Sequence, residues 1–213
     1  ISLLLIAQPD IGQTLLVVFC WATLIFTSGI NIYILLAIFI AGASLLTYLI
    51  IYVPRFDYIQ GRIFSFFNRE TGTHNFQSDK AIESITSGGF FGKGIGEGVL
   101  KNRVPEAHTD YIISVISEEF GVVAIMLILL LFLILIYMVF KKISFETNDK
   151  VKLILIGSIS LILMQATIHV GVNIRLFPTT GMTLPFLSYG GSSIISTSIL
   201  AGIILNLTKR KIT

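Results

Sequence analysis

The stretch "VPEAHTDYI", 104–112, places Glu106, His108 and Asp110 within five positions, immediately before a long apolar run. A carboxylate at such a boundary can act as a general base, taking the proton of a hydroxyl as it attacks. Lys101 and Arg103, close by in sequence, could neutralise a phosphate leaving group. A reading without chemistry is equally simple. Thr109 or Asp110 would be the N-cap of the following helix, whose dipole favours a carboxylate, and the two cations would be lipid-headgroup anchors. From position alone the two readings stand level.

Further polar groups interrupt the apolar runs. Glu118 and Glu119 lie two turns into the run that follows Asp110. Carboxylates at membrane depth are costly, so they face a polar interior or a partner, unless the helix starts near residue 117 and leaves them in the interface. Gln165, His169 and Asn173 fall at i, i+4 and i+8 on one helical face, with Thr167 alongside. Interhelical hydrogen bonding, about 1 kcal/mol each, is their simplest use. The stretch "PTTGMTLPFLSYGGSS", 178–193, carries two prolines, three glycines and several hydroxyls. Irregular backbone at that depth has to be buried in protein or line a wet cavity, so it reads as a cavity wall. "FGKGIGEG", 91–98, lacks a preceding strand and a terminal Lys-Ser/Thr, which excludes a Rossmann fingerprint and a P-loop. It reads as flexible backbone near an interface. No Cys/His cluster has zinc spacing, and no Ser/His/Asp arrangement stands out.

The elements that must hold these groups are membrane helices. Of 213 residues, 54% are hydrophobic and only 13% charged, against about a quarter charged in soluble domains; mean hydropathy is +0.87. A helix needs about 20 apolar residues to span a bilayer. Five stretches qualify, roughly 12–29, 31–53, 111–140, 151–172 and 186–207. The expected fold is thus an all-α, polytopic transmembrane bundle, one membrane domain over 1–213. Between the second and third spans lies a large loop, 54–110, with seven basic and seven acidic residues. Within it, "SDKAIESITSGG" reads as a short amphipathic helix capped by Ser78 or Asp79, running into the glycine-rich turn. The chain begins without methionine and reads as the C-terminal part of a longer protein. The lone Cys20 permits no intrachain disulfide, and the net charge of +3 calls for no nucleic acid.

Lys141, Lys142, Lys150 and Lys152 surround the third connection, and Lys209, Arg210 and Lys211 follow the last span. Both clusters read as cytoplasmic, which puts loop 54–110, Arg175 to Pro185 and the "QPD" at 8–10 outside. Every motif-like feature then faces one side.

Three separated segments, "AQPDIGQTL" at 7–15, "PEAHTDYIISVISEEFG" at 105–121 and 178–193, resemble in order and spacing the shape, elongation, division and sporulation (SEDS) proteins. These are bacterial polytopic membrane enzymes that polymerise peptidoglycan. "PEAHTD" and "GMTLP" resemble the division branch, the FtsW type. Thr180 departs from the lysine common there, and His169 stands where asparagine is usual; if that lysine supports catalysis, Arg175 is the candidate to replace it.

The resemblance implies that Asp110 is the catalytic carboxylate of a glycosyl transfer. Lipid II would donate its disaccharide to a glycan strand, with undecaprenyl pyrophosphate leaving. Substrate contacts would come from Lys101, Arg103, Glu106, His108, Arg175, Ser188 and Ser192. A divalent cation, Mg or Mn, is implied as cofactor by the resemblance only. It further implies a class B penicillin-binding protein (a transpeptidase) and division-complex proteins as partners, and a place in the bacterial cytoplasmic membrane at the septum. Three other readings are carried forward: a lipid-linked precursor flippase or transporter, a RodA-like elongation polymerase, and a scaffold for a partner synthase. Transport needs access from both faces, whereas the motifs cluster on one.

Overall fold

A computed structural model of the chain describes residues 2–8, 10–67, 73–98 and 106–209. Among these residues all regular structure is helical. The order is α1 (Ser2–Ala7), α2 (Ile11–Thr27), α3 (Ile32–Tyr52), a 3₁₀ turn (Pro54–Phe56), α4 (Asp57–Phe67), α5 (Thr73–Gly88), α6 (Ile112–Phe145), α7 (Asp149–Asn173) and α8 (Gly191–Thr208). Four helices, α3, α6, α7 and α8, are long and apolar enough to cross a membrane. The expected fifth, α2, has 17 residues, about 25 Å at 1.5 Å per residue. Its ends are fixed locally: Asp10 accepts the Gln13 N–H at 3.0 Å, and Gly29, at φ 88°, turns the chain away. The last helix starts at Gly191 rather than near 186, because Pro185 to Gly190 is folded into a turn and loop.

Helix α7 is the hub, packed against α2, α6 and α8. Lipid tails are as apolar as leucine, so close approach and polar contacts hold such helices together. At the α2–α7 crossing, a Cβ on Gly157 would lie 3.2 Å from a Leu24 methyl, and Thr23 Oγ1 donates to Ser160 Oγ at 3.4 Å. One apolar cluster, Val139, Leu155, Ile159, Ile162 and Ile204, joins α6, α7 and α8. A second, with Ala81, Ala107, Tyr111, Val115, Ile168, Val172 and Met182, lies directly beneath the turn that carries Asp110.

Helix α6 is broken at Gly121, whose φ 79°, ψ 178° is outside any helical region and is essentially glycine-only. The break frees carbonyls before it and N–H groups after it. The glycine-rich turn after α5 meets both sets. Lys93 and Gly94 donate to the carbonyls of Glu118 and Glu119 at 2.9 and 3.0 Å, while Val122 and Val123 donate to the carbonyls of Gly89 and Phe90 at 3.0 and 3.3 Å. This is direct contact of backbone on backbone. "FGKGIGEG" is therefore docked into the kink, which corrects its reading as flexible interfacial backbone. Glu118 and Glu119 belong to the same joint. Glu118 is fully buried, accepts from Ser84 Oγ at 3.0 Å and lies 3.6 Å from Lys93 Nζ. Glu119 accepts the Gly96 N–H at 3.2 Å. Both carboxylates face protein partners.

Segment 54–110 contains α4 and α5. Helix α5 starts at Thr73, so Ser78 and Asp79 lie inside it and cap nothing. Their side chains bind elsewhere: Ser78 Oγ lies 3.3 Å from the Tyr111 hydroxyl, and Asp79 pairs with Arg175. The amphipathic pattern begins before these residues, which is why a cap placed by residue type alone fell late.

The kink tests this joint. A Cβ on Gly121 would sit 2.2 Å from the Phe90 carbonyl oxygen, whereas one on Gly42 meets nothing within 4 Å. Gly121→Ala is expected to lower stability by about 3 kcal/mol, read as a lower Tm in detergent. Gly42→Ala, inside α3 with open space around it, should not lower Tm.

Candidate active site at the mouth of α6

The turn before α6 is built on one carbonyl. Glu106, at φ 54°, accepts the N–H groups of Thr109, Asp110 and Tyr111 at 3.1, 3.0 and 3.4 Å, and its carboxylate accepts Thr109 Oγ1 at 2.9 Å. The N-cap of α6 is Tyr111, with no side-chain capping bond. Neither Thr109 nor Asp110 caps the helix, so the capping reading is corrected. The buried Tyr111 ring occupies the boundary instead, leaving the Asp110 carboxylate unused by the backbone. Among the described residues none donates a hydrogen bond to it. It faces Gly181, where an added Cβ would lie 3.7 Å from Asp110 Oδ2.

Its electrostatics suit a base. Burial raises the Asp110 pKa above the ordinary value, and the negative charge of Glu106 raises it further; the positive charge of Arg62 opposes both. The carboxylate remains partly exposed, so it can still exchange protons with solvent.

The stretch 178–193 lies against this turn. Ser188 Oγ donates to the Thr109 carbonyl at 2.7 Å and accepts the Leu184 N–H at 2.8 Å. The Tyr189 N–H donates to the His108 carbonyl at 2.9 Å. From below, α7 holds both strands of the junction. Gln165 Nε2 donates to the Thr183 carbonyl at 2.9 Å and to Ser193 Oγ at 3.1 Å. His169 Nδ1 lies 2.7 Å from the Met182 carbonyl; since a carbonyl only accepts, Nδ1 carries the proton. Asn173 Nδ2 donates to the Asp110 carbonyl at 3.0 Å. Met182 in turn packs on α2, where a Cβ on Gly12 would meet its Cγ at 2.8 Å. The segments around Asp10, Asp110 and Gly181 thus form one junction.

Of the residues read from sequence as candidates, Asp110, Glu106, His108 and Ser188 come together here. Glu106 and His108 are exposed at the rim. Ser188 is buried and uses its hydroxyl to join the two segments. Ser192 is exposed on the first turn of α8. Arg175 is turned toward Asp79 of α5. Lys101 and Arg103 lie outside the described residues.

Sequence reasoning missed Arg62. It projects from α4, donates through Nη1 to the Thr179 carbonyl at 2.8 Å, and stacks on Tyr58 with 4.3 Å from Cζ to the ring centroid. A single arginine within the otherwise uncharged run 58–67 was the available signal. No group of three or more His, Cys, Asp or Glu among the described residues could hold a metal ion. The described donors therefore do not by themselves form the site of a divalent cation.

Comparison with known proteins gives the family of the chain. The model of the FtsW–RodA–SpoVE family, described as cell cycle proteins, matches residues 1–212. The chain belongs to this family. A relative from Caulobacter vibrioides, named a probable peptidoglycan glycosyltransferase FtsW, is 35% identical over 98% of this chain and 52% of its own length. Relatives of the same name from Francisella salina and Enterococcus hirae are 37% and 32% identical. A chain from a solved peptidoglycan synthase complex superposes with a TM-score of 0.75 at 30% identity, over 96% of this chain and 56% of that one. The chain spans about half the length of the curated relatives it matches. The all-helical, polytopic fold expected from the sequence is the fold found.

Two substitutions separate the scaffold of this junction from the Asp110 carboxylate. Ser188→Ala strands the Leu184 N–H and the Thr109 carbonyl and is expected to cost about 1–3 kcal/mol. Asp110→Asn should do the opposite. A raised carboxylate pKa means that the fold favours the neutral form, a contribution lost as pH rises through the folded-state pKa. The Asn variant should therefore match or exceed the wild-type Tm at pH 7, with the gap closing as pH falls into the ordinary carboxylate range. Thermal unfolding of both variants across pH checks this.

Proposed function

We propose that the full-length protein is a peptidoglycan glycosyltransferase that polymerises lipid II into glycan strands, with Asp110 as its general base. The observation that carries the reading is the state of Asp110. It is a partly buried carboxylate at a membrane-helix mouth, free of capping duty and held in place through its own backbone. Sequence likeness to proteins named peptidoglycan glycosyltransferase supports the same reaction.

An acceptor sugar hydroxyl is a weak nucleophile at neutral pH. As its oxygen bonds to the anomeric carbon of the donor, its proton passes to Asp110 Oδ. The bond from that carbon to the pyrophosphate oxygen breaks, and undecaprenyl pyrophosphate leaves with the electron pair. Asp110 then returns the proton to solvent. A carboxylate with a raised pKa is the stronger base, which favours the transfer.

The basic residues near the α6–α7 connection, Lys141, Lys142, Lys150 and Lys152, lie at the end of the bundle away from Asp110. The positive-inside rule supports a cytoplasmic place for them and an outer-face place for the site, in the bacterial cytoplasmic membrane. Division-type synthesis at the septum is the favoured setting, because the relatives carry the FtsW name. A transpeptidase of the class B penicillin-binding type is the fitting partner, in line with the synthase complex whose chain this one resembles.

Full-length protein in liposomes with lipid II should yield glycan polymer, and Asp110→Asn should reduce the rate by about 10²-fold or more. In wild type the rate should fall on the acid side, with its limb above the ordinary aspartate range. An Asn variant with near-wild-type activity would remove Asp110 from the mechanism.

A further inference from the structure

Arg62 stands out from the other described cations near the junction by the company it keeps. Arg175 is paired with Asp79 and Lys93 with Glu118. Arg62 has no carboxylate within ion-pair distance among the described residues. Its acceptors are both neutral: the Thr179 carbonyl, from Nη1 at 2.8 Å, and the Tyr58 hydroxyl, from Nη2. Its Nε–H is buried and has no acceptor among the described residues. In the residue after Thr179, the Thr180 hydroxyl is likewise buried without a partner among the described residues. The guanidinium bound to the Thr179 carbonyl and the hydroxyl of the next residue thus both keep unused donors, beside Gly181, which faces Asp110.

Native structures rarely leave buried donors unmet, and where they do a ligand often meets them. The ligand here must bring acceptor oxygens and negative charge, and it must lie beside the base. A phosphate satisfies all three requirements. Its oxygens fit the planar fork of arginine and bind a cation more strongly than a neutral carbonyl or phenol does. It can therefore displace the Tyr58 hydroxyl and the Thr179 carbonyl from the guanidinium and reach donors that are now closed to solvent. The charge of Arg62 already acts on Asp110 and Asp10, which puts it within electrostatic range of the reacting centre.

We propose that Arg62 and Thr180 form the subsite for the pyrophosphate of the lipid-linked substrate, opposite Asp110. The inference rests on the glycosyltransferase reading and adds the group that takes up the leaving charge. As the anomeric bond breaks, negative charge grows on the bridging pyrophosphate oxygen, and Arg62 stabilises it there. Asp110 and Arg62 then divide the reaction between them, one taking the proton and the other the leaving group.

The test is binding of undecaprenyl pyrophosphate and undecaprenyl phosphate to the full-length protein in nanodiscs, together with lipid II polymerisation. Wild type should bind the pyrophosphate more tightly. Arg62→Lys keeps the charge but removes Nε–H and the fork, so it should weaken pyrophosphate binding about tenfold and narrow the preference over monophosphate. Thr180→Val, close in shape, should weaken it severalfold, while Asp110→Asn, which removes a negative charge near the anion, should not weaken it. Wild-type pyrophosphate affinity in Arg62→Lys overturns the subsite, as does a loss of Tm with affinity retained, which would make Arg62 a loop support. Should Arg62→Lys fail to fold, unchanged affinity in Thr180→Val overturns the subsite. The two readings fail separately. A wild type that makes no glycan, yet loses pyrophosphate affinity in Arg62→Lys, sinks the polymerase and keeps the subsite.

Discussion

Irregular backbone at membrane depth has to find hydrogen-bond partners inside the protein, and one face of α7 supplies them. Gln165, His169 and Asn173 reach the carbonyls of Thr183, Met182 and Asp110 in turn. Each spends a side-chain donor on a carbonyl that a regular helix would have satisfied for itself. Two chain segments distant in sequence are thereby fixed to one rigid rod, and the position of Asp110 relative to Gly181 follows. The arrangement leaves His169 Nε2 and Asn173 Oδ1 buried without partners among the described residues. Two unmet acceptors are the cost of aiming the donors at the loop.

The division of labour around Asp110 follows from that support. A carboxylate at a helix start ordinarily accepts backbone N–H groups, which stabilises its charge and makes it a poor base. Here the Glu106 carbonyl collects those N–H groups, and Tyr111 fills the cap position. Asp110 is held through its main chain, by Asn173 on its carbonyl and Glu106 on its N–H. The side chain keeps its proton affinity because none of the described residues consumes its lone pairs.

The helices around this centre were legible in the sequence because an apolar run of membrane length fits little besides a spanning helix. The i, i+4, i+8 pattern on α7 was legible for the same kind of reason, since helical spacing fixes which residues share a face. Its targets were not, because they are main-chain atoms of a loop and carry no residue signature. Ser78 and Asp79 resembled caps by type, yet α5 begins earlier and tertiary partners, Tyr111 and Arg175, claim both side chains. Arg62 went unread because its one local signal, a lone arginine in an uncharged run, does not say what it binds. Its meaning comes from Thr179, far away in the chain. The break at Gly121 was hidden as well: one glycine in a strongly apolar helix looks ordinary until the turn that fills the gap is known.

That break bears on how the sequence is free to vary. At Gly88, Gly92 and Gly121 an added Cβ would meet backbone atoms at 1.9, 2.2 and 2.2 Å, so these positions admit only hydrogen. Between and beyond them, Phe90, Phe91 and Ile95 point outward, 76%, 85% and 77% exposed, and the joint asks nothing of their side chains. Mutational drift is thereby channelled, closed at these three glycines and open at Phe90, Phe91 and Ile95. The outer surface of this turn can be rewritten residue by residue while the joint beneath it, and the short helical segment leading back to Asp110, keep their shape.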